Sequence, residues 1–156
     1  MKLTDFVVRD AILVDLQATT KEEAIREIIR GLRTAGVLKD SDLESVTRAI
    51  LSREELGSTG IGMGVAVPHT RHTVATQLIG AIAVSRKGVE FASIDGAPVD
   101  LLFLLISPPS QPGDHLRALE NISRHLKDSG FVGQLRGATT PSMLYQVLEN
   151  ADQVHS

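Results

Sequence analysis

His69 directly follows Pro68 and stands two residues before Arg71, at the end of a segment, Gly57 to Arg71, that holds four glycines and the hydroxyl residues Ser58 and Thr59. A short apolar run, Val65-Ala66-Val67, leads into Pro68 and so predicts a strand that ends beside His69. A nucleophilic or proton-handling side chain at a strand end, beside a glycine-rich backbone able to offer N–H groups, suits phosphate chemistry. Glycine-rich stretches are also common as plain connections, and a lone histidine is more often structural than reactive. Spacing alone leaves both readings open.

Other chemistries fit less well. No Lys-Ser/Thr pair follows the glycines, so a nucleotide P-loop is excluded. A strand follows them where a dinucleotide fingerprint needs a helix. His69 and His72 form an H-x-x-H pair, but no further ligands are spaced to complete a metal site. Ser58 lacks the strand–elbow–helix setting of a hydrolase nucleophile.

His115 is the second candidate. A helix is predicted from about Pro112 to Lys127, with Leu119, Ile122 and Leu126 on its apolar stripe. His115 lies on that stripe in the first turn, facing inward. The partial positive charge of a helix N-terminus lowers imidazole basicity and attracts anions. Such a histidine could meet His69 at the strand end, although a satisfied structural role is equally available to it. Arg53, Arg71 and Arg117 read as solvated charges, His125 as a surface residue beside Leu126, and His155 as part of a frayed end.

The elements that must position these residues are legible in outline. Strands are expected at Ala11–Leu16, Val65–Val67 and Leu78–Val84. Gly88–Phe91 reads as a short edge segment and Val99–Ile106 as a central strand. A capping box, Thr20 with Glu23, opens a helix bearing Ala24, Ile25, Ile28, Ile29 and Leu32, with Gly36 as its stop. A second box, Ser41 with Glu44, opens a helix ending near Gly57. Thr140 caps a last helix with Pro141 at its first position. Helices before, among and after the strands imply an α/β (α+β) chain with its sheet covered on both faces.

Composition sets the class. The chain has 156 residues, which predicts one domain over 1–150 with a C-terminal tail at 151–156. Aromatics are only 3%, so no stacking platform for single-stranded nucleic acid is available, and a net charge of −3 argues against nucleic-acid or anionic-membrane binding. The absence of cysteine excludes thiolate nucleophiles and disulfides. No targeting or membrane-spanning pattern is evident, so a cytoplasmic protein is expected.

The stretch Arg53-Glu-Glu-Leu-Gly-Ser-Thr-Gly-Ile-Gly-Met-Gly-Val-Ala-Val-Pro-His69 closely resembles the active-site signature of a bacterial transport component. That component is enzyme IIA of the phosphoenolpyruvate-dependent phosphotransferase system, of the fructose/mannitol type, which includes the nitrogen-regulatory IIA proteins. The resemblance continues through Ile94–Ile106 and His115-Leu-Arg-Ala-Leu119. It implies a three-layer α/β/α sandwich around a central mixed β-sheet. It also implies that His69 is the phosphoryl acceptor, His115 the second active-site histidine and Arg53 a phosphoryl-stabilising cation. Ser58, Thr59, Gly60 and Thr70 are then expected at the phosphate, with Thr70 departing from the glycine many relatives have after the Pro-His pair. No metal or cofactor is implied.

The implied partners are the phosphocarrier protein HPr as donor and an enzyme IIB protein as acceptor in sugar uptake, with contact to a membrane permease peripheral at most. The alternative is a regulatory protein whose His69 phosphorylation controls binding to target proteins. The lack of a fused IIB, IIC or HPr segment favours this alternative. A binding module that has lost phosphotransfer is a third reading, and the presence of both histidines argues against it.

Overall fold

The computed structural model describes residues 1–155, and residue 156 of the expected tail lies outside the described residues. The elements run α1 (Lys21–Thr34), α2 (Leu43–Glu55), β1 (Gly60–Gly62), β2 (Val65–Ala66), β3 (His69–Arg71), β4 (Ile79–Val89), β5 (Val99–Ser107), α3 (Pro112–Leu126), α4 (Ser129–Gly137) and α5 (Pro141–His155).

The run of leucines around Phe103 becomes β5, the middle of a mixed sheet. On one side β4 pairs with it antiparallel, from Ile79 opposite Ile106 to Val84 opposite Leu101. On the other side β2 and then β3 pair with it parallel, Val65 with Leu101 and His69 with Leu105. β2 and β3 are two parts of one path interrupted at Val67-Pro68. The Pro68 carbonyl accepts from the Leu105 N–H at 3.0 Å, so the path rejoins the sheet just before His69. β1 folds back antiparallel on β2.

Side chains alternate across a strand, and β5 is apolar at nearly every position because both its faces are buried. Leu102, Leu104 and Ile106 enter one core with Ile25, Ile28, Ile29 and Leu32 of α1 and Val46 and Ile50 of α2. Leu101, Phe103 and Leu105 enter the other with Ile122 of α3, Leu135 of α4 and Leu144 and Leu148 of α5. The expected three-layer sandwich is therefore present, and each fully buried leucine contributes roughly 1.5–3 kcal/mol.

Several local expectations need correction. Ala11–Leu16 is not a strand: a 3-10 turn occupies Arg9–Ala11, and the segment meets β4 through one isolated bridge, Leu13 with Ala83, and the backbone hydrogen bonds of Leu13 and Leu16 to Ile82 and Val84. Gly88 and Val89 belong to the end of β4, where a bulge lets Val89 reach Val99. The second helix begins with a 3-10 turn at Asp40–Asp42, where Asp42 accepts from the Lys39 N–H at 3.0 Å, rather than with a Ser41–Glu44 box. Helix α4 was not anticipated. Its glycines hide the pattern, but Asp128 caps the N–H groups of Gly130 and Phe131, and Phe131, Val132 and Leu135 are buried.

Two N-caps fall at the expected residues, although Thr20 and Glu23 form only the threonine half of the expected box. The Thr20 hydroxyl accepts from Glu23 N–H at 3.4 Å, and the Thr140 hydroxyl accepts from Met143 N–H at 3.1 Å. Residues 151–155 continue α5, and Asp152 within them is buried. Its carboxylate accepts from Leu3 N–H at 2.7 Å, Thr4 N–H at 3.0 Å and the Thr4 hydroxyl at 2.6 Å, so it joins the two ends of the chain.

Candidate active site

β3 starts at His69 because the extended backbone before a proline carries Val67 out of the ladder and parallel pairing resumes beyond Pro68. The freed Val67 carbonyl turns to the histidine: His69 Nδ1 lies 2.8 Å from it. A carbonyl can only accept, so Nδ1 carries the proton and Nε2 carries the lone pair. Burial holds His69 below the ordinary imidazole value. The Val67 carbonyl opposes that shift, the charge of Arg53 reinforces it, and Glu54 pulls the other way.

His115 sits in the first turn of α3, 5% exposed, on the inward face its spacing predicts. Its ring centroid is 5.5 Å from that of His69, with the planes tilted by 53°. Its Nδ1 contacts the hydroxyl of Ser107, the last residue of β5. Burial first, and then the neighbouring His69 and Arg71, push its pKa down to about 4. Both imidazoles are therefore neutral at physiological pH.

The two rings share an open cleft of about 400 Å³ with Arg53, Thr70 and Arg71. Arg53 reaches it from the last turn of α2, where its guanidinium donates to the Gly57 carbonyl at 3.0 Å. Arg71 stands two residues beyond His69 on β3, opposite Ser107. Among the described residues neither arginine has a carboxylate partner, whereas Arg26, Arg33, Arg48, Arg117 and Arg136 each do. Two guanidiniums and two neutral imidazoles lining one cleft have the chemistry to hold an anion.

The structure thus brings His69, His115, Arg53 and Thr70 together. It does not bring Ser58, Thr59 or Gly60 into the lining. The Ser58 hydroxyl donates to the Phe91 carbonyl at 3.0 Å and accepts from the Gly60 N–H at 3.0 Å. The Thr59 N–H donates to Glu54 Oε1 at 3.2 Å, and its hydroxyl donates to Glu54 Oε2. Glu54 is buried and also meets Lys21 Nζ at 3.0 Å. These donors brace the corner between α2 and β1, instead of facing the cleft.

Sequence reasoning missed Arg71 and Ser107. The two-residue period of a strand beginning at His69 could have placed Arg71 on the same side. Ser107 was visible only as the first polar residue after an apolar run. His125, expected at the surface, is buried: its Nδ1 is 2.8 Å from the Asn121 carbonyl, and its ring lies 5.4 Å from that of Phe131 of the unforeseen α4, tilted by 57°. His72 is held by Ser45 at 2.7 Å and by the Val74 N–H at 2.9 Å. No helix among the described residues is long and apolar enough to cross a membrane.

Comparisons with known proteins bear on the family and the fold. A nitrogen regulatory protein of Bradyrhizobium diazoefficiens is 36% identical over 148 residues, covering 95% of each chain. The crystal structure of nitrogen regulatory protein IIA-Ntr from Neisseria meningitidis superposes with a TM-score of 0.81 at 29% identity, over 92% of this chain and 97% of that one. The enzyme IIA of mannitol, solved in complex with phosphorylated enzyme IIB from Escherichia coli, shares the fold with a TM-score of 0.72 at 22% identity, over 90% and 95% of the two chains. The family model described as phosphoenolpyruvate-dependent sugar phosphotransferase system, EIIA 2, matches residues 5–151, and the chain belongs to that family.

Proposed function

We propose that the protein is a phosphocarrier that accepts a phosphoryl group on His69 Nε2 from a phosphohistidine of HPr and passes it to a protein partner. The observation that carries this reading is the fixed His69 ring, with Nδ1 on the Val67 carbonyl and the ring lining a cleft with Arg53 and Arg71.

The chemistry needs little covalent assistance, since alignment and charge stabilisation do most of the work in phosphoryl transfer. The Nε2 lone pair forms the new N–P bond. The P–N bond of the donor breaks, and its electron pair returns to the donor's ring nitrogen. No proton leaves His69, because Nδ1–H stays on the Val67 carbonyl. That same hydrogen bond then supports the positive ring of the phosphorylated product. Arg53 and Arg71 neutralise the phosphoryl oxygens, Thr70 stands at the rim, and His115 faces the group from α3.

Incubation with enzyme I, HPr and phosphoenolpyruvate tests the proposal. Acid-labile phosphate should appear on His69 and vanish in His69→Ala. An unlabelled wild type, or label retained in the variant, would overturn it. The IIB complex of the mannitol relative supports a IIB protein as acceptor in sugar uptake. The end-to-end similarity to nitrogen regulatory proteins supports the alternative, in which the phosphorylated and free forms bind different regulatory targets. Pull-downs with and without phosphate on His69 separate the two.

A further inference from the structure

Ser107 closes β5 and is fully buried. Its backbone is fixed twice: it pairs with Arg71 across the sheet, and its carbonyl accepts from the His72 N–H at 2.9 Å. Its hydroxyl has one partner among the described residues, the Nδ1 of His115. A buried hydroxyl without an acceptor for its proton is costly, so this proton belongs on His115 Nδ1. A neutral imidazole that accepts at Nδ1 carries its own proton on Nε2.

We propose that Ser107 is a positioning residue that holds His115 as the Nε2–H tautomer, presenting a donor to the cleft opposite the Nε2 lone pair of His69. The two rings are then set in opposite senses by what each Nδ1 meets. A carbonyl takes the proton of His69, and a hydroxyl gives its proton to His115. Neither Nε2 has a hydrogen-bond partner among the described residues, and both rings line the same cleft. One is a nucleophile. The other is a donor for a phosphoryl oxygen, a use that rests on the proposed function. Without Ser107 the His115 ring could exchange its proton between nitrogens or rotate, and a lone pair would then oppose the phosphoryl charge.

Nitrogen-15 NMR of the imidazoles in the whole protein at neutral pH reads the tautomer directly. Wild type should show His115 protonated at Nε2, with the Nδ1 resonance displaced by an accepted hydrogen bond. In Ser107→Ala that resonance should move downfield to the position of an unbonded ring nitrogen. Ser107→Thr, which keeps the hydroxyl, should restore it. Onward phosphotransfer should fall about fivefold in Ser107→Ala, the equivalent of one neutral hydrogen bond, and recover in Ser107→Thr. A wild-type His115 protonated at Nδ1, or an unmoved Nδ1 resonance in Ser107→Ala, would overturn the assignment. The NMR arm needs no phosphoryl group, so failure of His69 to take label would count against the proposed function alone.

Discussion

The low basicity of His115 has a thermodynamic consequence. An unfolded histidine binds its proton near pH 6.5, and folded His115 only near 4. Between those values the unfolded chain holds the extra proton, so stability falls as pH falls, by up to about 1.4 kcal/mol per pH unit, and the contribution is flat below the lower value. Urea melts across this window should show the slope in wild type and a shallower one in His115→Asn. The cleft arginines give a kinetic prediction. Arg53→Gln and Arg71→Gln should each slow acceptance at His69 roughly tenfold or more, as charge-assisted hydrogen bonds to the phosphoryl oxygens are lost. Arg71→Gln should also raise the His115 pKa, read by NMR titration, because its charge disfavours the imidazolium.

Elements show where a sequence speaks and where it is silent. Helix α5 could be read from Thr140 and Pro141, and Thr140→Ala should cost about 1 kcal/mol in a thermal melt. The inward face of α3 was equally legible, so His115 could be placed by periodicity before any contact was known. Ser58, Thr59 and Gly60 were not legible as structural residues. Their local pattern suits a phosphate cradle, and only long-range neighbours, the Phe91 carbonyl and Glu54, reveal their bracing role. Gly60 is needed for close approach: a Cβ there would lie 2.3 Å from Ser93 Oγ and 3.0 Å from Ser93 Cα. Gly60→Ala should therefore destabilise the fold by about 1–3 kcal/mol without adding or removing a phosphate ligand. Helix α4 escaped notice because its glycines mask a pattern that burial of Phe131 and Leu135 decides.

Over the whole molecule, the sheet holds the site and Asp152 holds the ends. Asp152→Asn should weaken three hydrogen bonds to Leu3 and Thr4, at a cost of about 2 kcal/mol. Hydrogen exchange should rise first in the N-terminal segment, while the His69 environment stays unchanged. His69 and Ser107 sit on neighbouring strands, β3 and β5, so the sheet fixes the His69 backbone relative to the serine that meets His115 of α3. The two Nδ1 partners differ in heritability as well as chemistry. The group that orients His69 is a main-chain carbonyl, present whatever residue occupies position 67. The group that orients His115 is a side chain, which a single codon change can delete. A saturation library should therefore find position 67 permissive for aliphatic residues that fill its buried place. At position 107 only hydroxyl-bearing residues should retain full activity, so random mutation would erode the donor before the nucleophile.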